Sequence, residues 1–169
     1  MTQSTIAVTG VASEIGAALA RILKEQGHQV IGFDIRETAD NVDRFIPLDL
    51  NDEDSIAAAA AAVHTPLDGL CNNAGLPPRA GLEEAILQVN FLGTRAFTNA
   101  VLPHLRDGGS LVNMASRAGH GWLEGAALAS NTSASTLMQP LAQARRKPVL
   151  SALYQFTRCS EWQDRARTA

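Results

Sequence analysis

The stretch from Thr5 to Asp34 constrains this chain more than any other. Ile6-Ala7-Val8 is an apolar run too brief for a helix and dense enough for a buried strand. A glycine turn follows at Thr9-Gly10. From Ser13 the apolar residues Ile15, Leu19, Ile22 and Leu23 recur at helical spacing, and Gly27 ends the pattern as a C-terminal cap. A second buried run, Val30-Ile31-Gly32-Phe33, closes on Asp34. The order strand, glycine turn, helix, strand, acid predicts a βαβ unit able to hold a dinucleotide.

The spacing has a chemical reason. Gly10 lets the backbone turn sharply out of the strand, and Gly16 lets the helix pack close to the sheet. N–H groups at the helix start, aided by its dipole, can then cradle a pyrophosphate. Asp34 stands where a carboxylate accepts hydrogen bonds from both ribose hydroxyls of an adenosine. It would repel a 2′-phosphate, which favours NAD over NADP. Arg36, two residues on, is the cation that could accommodate that phosphate. The plain structural alternative is an ordinary strand–helix turn with a solvated acid after the second strand.

Thr9-Gly10-Val11-Ala12-Ser13-Glu14-Ile15-Gly16 resembles the TGxxxGxG fingerprint of the short-chain dehydrogenases/reductases. It departs at Glu14, where that family has glycine; a carboxylate there brings charge and bulk towards the pyrophosphate. The resemblance implies a doubly wound parallel α/β sheet of Rossmann type in the order 3-2-1-4-5. It also implies an NAD(P) site in which Gly10, Ser13, Ile15 and Gly16 follow the pyrophosphate.

Further along, Phe45-Ile46-Pro47-Leu48 reads as a third strand, followed by Asp49-Leu50. By the resemblance Asp49 bonds the adenine amino group, and Leu50 beside it belongs to the cofactor site. Its acid-rich surroundings, Asn51-Asp52-Glu53-Asp54, also suit the start of a helix. The alanine-rich segment from Ser55 to Val63 is a structural helix, since alanine is the strongest helix former. Leu67 to Cys71 is a fourth strand leading into Asn72-Asn73-Ala74-Gly75, which looks like the family's NNAG signature. There Asn73, Ala74 and Gly75 pass close to the cofactor ribose.

Glu83 to Leu105 reads as one long helix, with Ile86, Val89, Asn90, Gly93, Phe97, Val101 and Leu105 near one face. Asn90 matches the family's helix asparagine, which bends the helix and holds a water in a proton relay. A satisfied, buried amide is the alternative. Gly108-Gly109 turns the chain into a fifth strand, Ser110 to Ala115. Ser116 follows at its carboxyl end, where open α/β sheets bind ligands. It resembles the family's catalytic serine, which donates a hydrogen bond to the substrate oxygen.

The chain has one tyrosine, Tyr154. The family pairs such a tyrosine with a lysine one helical turn on, whose charge draws the phenol pKa towards neutrality. Here that position is Arg158, a bulkier planar cation. The long interval from Ser116 to Tyr154 is similar to a subgroup typified by 3α-hydroxysteroid and coniferyl alcohol dehydrogenases. By the resemblance, Tyr154 is the acid/base, Ser116 polarises the substrate oxygen, Asn90 serves the relay and Arg158 replaces the lysine. Residues 117–151 read as a loop-rich insertion and 152–169 as a cut-short tyrosine helix of one 1–169 domain. The sheet would then lack the family's last strands.

The reading that follows is an oxidoreductase passing hydride between NAD and a secondary or aromatic alcohol or carbonyl compound. A non-catalytic nucleotide-binding remnant or regulatory module of the same fold is the alternative. At 169 residues, 46% hydrophobic and 18% charged, the chain has the makeup of one globular domain. Its net charge of −3 gives no footprint for nucleic acid or an anionic membrane. Cys71 and Cys159 have no metal-type spacing, and no metal is expected. With no membrane-length apolar run and no signal pattern, the expectation is a cytoplasmic protein. Family dimers pair through the helix from Glu83 and the tyrosine helix, so self-association is the protein partnership the resemblance implies.

Overall fold

The computed structural model describes residues 3–77 and 79–114. Five parallel strands form one sheet in the order β3-β2-β1-β4-β5. They are β1 Thr5–Thr9, β2 Gln29–Asp34, β3 Arg44–Pro47, β4 Leu67–Asn72 and β5 Leu105–Asn113. The expected order is therefore the observed one among the described residues. Parallel strands need crossovers. These are α1 (Glu14–Glu25), α2 (Glu53–Ala61) and a composite helix between β4 and β5, while the 35–43 segment joins β2 to β3 without a helix.

Alternation along the inner strands divides the core into two layers. Ala7, Ile31 and Leu70 face one side with Ile56, Ala59 and Ala60 of α2 and with Phe97 and Val101. Val8, Val30 and Cys71 face the other with Val11 and Ala20. Phe33 meets Phe97 edge-on, ring centroids 5.0 Å apart, and both rings are fully buried. Cys71 is thus a core residue, as its apolar surroundings predict, and burial pushes its thiol pKa up.

Helix α1 starts on Ser13, whose hydroxyl accepts the Gly16 N–H. It ends in a Schellman turn: Gly27 N–H reaches Lys24 O and His28 N–H reaches Leu23 O, with Gly27 at φ +84°. Its packing face differs from the expectation. Gly16 and Ala20 are the buried residues, whereas Ile15 is 59% and Ile22 43% exposed. Two small residues let the helix lie close to the sheet, Leu19 and Leu23 pack against the same core layer as expected, and Ile15 and Ile22 are displaced to the flanks.

Two further expectations are corrected. The segment from Glu83 is not one helix ending at Leu105. It comprises α3 (Glu83–Leu87), a π turn (Gln88–Gly93), α4 (Thr94–Val101) and a 3₁₀ turn (Leu102–His104), and Leu105 already opens β5. Pro103 ends the α-helical bonding, and the π turn is explained by contacts described below. Nor do Gly108-Gly109 precede the fifth strand; they lie inside it. The pairing jumps from Leu67↔Leu105 to Gly69↔Ser110, so a step of two in β4 meets a step of five in β5. Gly108, at φ +78°, absorbs the bulge. The third strand starts one residue earlier than read, at Arg44, and the second helix two earlier, at Glu53, capped by Asp52.

Candidate cofactor site

The site lies at the carboxyl ends of β1, β2 and β4. Gly10, at φ +75°, carries the chain out of β1 in a conformation other residues adopt only under strain. Its N–H bonds Phe33 O at 2.7 Å, tying the loop to β2. A Cβ on Gly16 would stand 1.9 Å from Gly10 O. So Gly16 is required by the loop carbonyl, a more specific reason than packing on the sheet.

The loop is braced from β4. Asn73 Nδ2 lies within 3.5 Å of Thr9 O, Gly10 O and Ser13 Oγ. Thr9 Oγ1 in return accepts the N–H groups of Asn73 and Ala74, both at 3.0 Å. Ser13 Oγ donates to Gly10 O at 2.6 Å. Asn73 is therefore a strut of the loop, and Thr9 is a residue whose part in the site the motif alone did not disclose. Its signal was available: a hydroxyl at a strand end is well suited to satisfy N–H groups of a neighbouring strand's exit.

Asp34 closes β2 beside the loop and is 8% exposed. Its Oδ2 accepts Ala12 N–H at 3.0 Å and its Oδ1 accepts Arg36 N–H at 2.9 Å. Each oxygen retains a lone pair for a further donor. The Arg36 guanidinium donates to Ala12 O at 2.8 Å and remains exposed. Asp34 and Arg36 thus grip both polar groups of the Ala12 residue.

The loop's electrostatics are those of an anion site with one discordant charge. Ser13 serves the Gly16 N–H, which leaves the first-turn N–H groups of Glu14 and Ile15 without partners among the described residues. Glu14 is exposed and forms no ion pair among those residues. Asp49, beyond β3, accepts Asn51 N–H on Oδ1 and donates its own N–H to Ser55 Oγ. Leu50 beside it is buried.

Asn90 sits in the π turn. Its Oδ1 accepts Leu76 N–H at 2.7 Å and its Nδ2 donates to Leu76 O at 2.9 Å. The site therefore unites Gly10, Ser13, Ile15, Gly16, Asp34, Asn73 and Ala74 about one loop, with Gly75 against Asn90, since a Cβ there would be 3.2 Å from Oδ1. Ser116, Tyr154 and Arg158 lie outside the described residues, as does the 117–151 segment. No cluster of metal-ligating side chains occurs among the described residues, and none of their helices is long and apolar enough to cross a membrane.

A glycine loop between strand and helix, an acid ending the next strand and a parallel 3-2-1-4-5 sheet define a protein of the Rossmann fold class. Comparison with known proteins narrows the class. The short chain dehydrogenase family profile matches residues 4–145, and the chain belongs to that family of NAD(P)-using oxidoreductases. It is 40% identical over 122 residues to a coniferyl-alcohol dehydrogenase of a Pseudomonas species, covering 72% of this chain and 48% of the relative. It is 33% identical over 105 residues to a 3-alpha-hydroxysteroid dehydrogenase/carbonyl reductase of Comamonas testosteroni, covering 62% and 40%. Among solved structures, the serine dehydrogenase of Escherichia coli superposes with a TM-score of 0.60 at 29% identity, covering 68% of this chain and 62% of that one. The chain spans about half the length of the curated relatives it matches.

Proposed function

We propose that this chain is an NAD-dependent oxidoreductase that passes hydride between the cofactor and a secondary or aromatic alcohol, or the matching carbonyl compound. The observation that carries the reading is the Asp34 carboxylate, held by two N–H groups beside the glycine loop with a lone pair left on each oxygen. That donor–acceptor pattern suits a vicinal diol and opposes a phosphate, so NAD is the favoured cofactor. The cradle supports it: Gly10 and Gly16 carry no Cβ where one would strike Ala74 and the loop carbonyl.

When bound, the nicotinamide supplies the hydride acceptor or donor. The residues of the chain bind and orient it. The Glu14 and Ile15 N–H groups would hold the pyrophosphate, Asp34 the adenosine ribose, and Asp49, with Leu50 beside it, the adenine. Asn73, Ala74 and Gly75 would pass close to the cofactor ribose. By the family resemblance, Tyr154 exchanges the proton with the alcohol oxygen, Ser116 donates to that oxygen and Arg158 stands in for the lysine. Asn90, bonded twice to Leu76, keeps one N–H and one lone pair for a relay water. The alcohol dehydrogenase and reductase names of the relatives support the substrate class. We read residues 1–169 as one domain in a cytoplasmic protein that pairs with its own kind.

A non-catalytic nucleotide-binding module is the second reading, and the charge of Glu14 at the pyrophosphate loop favours it. NADH fluorescence titration, with NADPH in parallel, tests what the two readings share. Saturable binding that prefers NADH and weakens on Asp34→Ala is expected; indifference to both nucleotides would refute it. Turnover of an alcohol panel, abolished by Tyr154→Phe, separates enzyme from module.

A further inference from the structure

We infer that Gly93 is a positioning residue: its contact with Leu50 O sets the π turn that presents Asn90 to the Leu76 peptide. A Cβ on Gly93 would stand 1.9 Å from Leu50 O and 2.8 Å from Leu50 C. This is backbone, which cannot swing aside, so only glycine lets the helix approach the loop after β3 so closely. In an uninterrupted α-helix, residues three apart share a face. Here Asn90 and Gly93 engage two separate segments, Leu76 beyond β4 and Leu50 beyond β3.

The widened turn from Gln88 to Gly93 changes the angular separation of the two residues. Thr94 Oγ1 donates to Val89 O at 2.9 Å, supplying a partner where the ladder is disturbed. Gly93 and Thr94 thus fix the turn, and the turn fixes Asn90. One consequence rests on the proposed cofactor reading: the adenine-side loop Asp49–Leu50 and the segment Gly75–Leu76 are registered against each other through one helical turn.

Amide hydrogen exchange on the ¹⁵N-labelled full chain, without nucleotide, tests the positioning directly. In Gly93→Ala the Leu76 amide and the Asn90 side-chain amide are expected to exchange about tenfold faster, the loss of roughly one hydrogen bond. The Val8 amide in the sheet centre should keep its protection. Thr94→Val disturbs the turn without the backbone collision and should accelerate the same two sites about threefold. It decides the matter if Gly93→Ala does not fold. Unchanged exchange at Leu76 in a folded variant, or equal acceleration at Leu76 and Val8, would overturn the inference. Weak NADH binding with the expected exchange pattern would count against the cofactor reading alone.

Discussion

Replacing Gly16 with alanine tests the loop geometry most severely. The new Cβ would start 1.9 Å from Gly10 O, and real contacts of this kind lie beyond 3.0 Å, so the loop and helix must separate by about 1 Å. Two terms act on stability. Overpacking costs about 1–3 kcal/mol, while alanine favours a helix over glycine by about 1 kcal/mol. The net loss is about 0–2 kcal/mol, small enough for the variant to fold. Cofactor binding has no such offset. A shift of that size takes a loop N–H out of reach of the pyrophosphate, and one charge-assisted bond is worth about 1.5–3 kcal/mol. The NADH Kd should rise roughly 10- to 100-fold. Gly27→Ala is the matched control. Gly27 has φ +84° and nothing within 4 Å of a Cβ, so the variant loses about 1 kcal/mol of stability and no affinity. Urea unfolding and fluorescence titration of both variants read the two effects separately. Wild-type affinity in Gly16→Ala, or an equal loss in Gly27→Ala, would refute the reasoning.

Thr9→Val removes the acceptor that holds the Asn73 and Ala74 N–H groups. With Thr9 1% exposed, the loss should be about 2–4 kcal/mol in urea unfolding, more than an isosteric change elsewhere on the sheet. Asp68 is one carboxylate that contributes to acid stability. The Thr5 N–H at 2.7 Å and then Arg106 at 2.6 Å lower its pKa from the usual 3.8. Its contribution is therefore complete above 3.8 and is lost as the pH falls through the lower, native value. Asp68→Asn should flatten the stability profile below about pH 4, measured by melting temperature against pH.

The first βαβ unit was legible because local chemistry specifies it: a glycine at a left-handed turn, a capping serine, an acid at a strand end. The sheet order followed from the family resemblance. The interruption at Gln88–Gly93 was not legible, because its cause, Leu50 O, is remote in sequence and is a backbone atom with no side-chain signature. Periodicity also misassigned Ile15 and Ile22, since a hydrophobic stripe does not reveal that Gly16 and Ala20 make the closest approach. Asn72 marks another limit. Its Nδ2 joins Thr98 Oγ1 at 2.9 Å and Asn113 Oδ1 at 2.8 Å, linking β4 to α4 and β5 through partners that no motif names.

Glu14 carries two effects of opposite sign. At the first position of α1, its charge interacts favourably with the helix dipole, worth about 0.3–1 kcal/mol. On the proposed cofactor reading the same N-terminal field would attract the pyrophosphate, so the carboxylate would both compete for that field and repel the ligand. Being exposed and unpaired among the described residues, it is screened by solvent, which keeps the repulsion of the same order. Glu14→Gln should therefore destabilise the fold by about 0.3–1 kcal/mol while improving NADH affinity roughly two- to fivefold. Salt should shrink both changes together, because both arise from an exposed charge. Thermal unfolding and NADH titration at low and high ionic strength give the two numbers. If affinity fell along with stability, Glu14 would be contributing to the cofactor site, and its departure from glycine would be an adaptation of this chain and not a burden upon it.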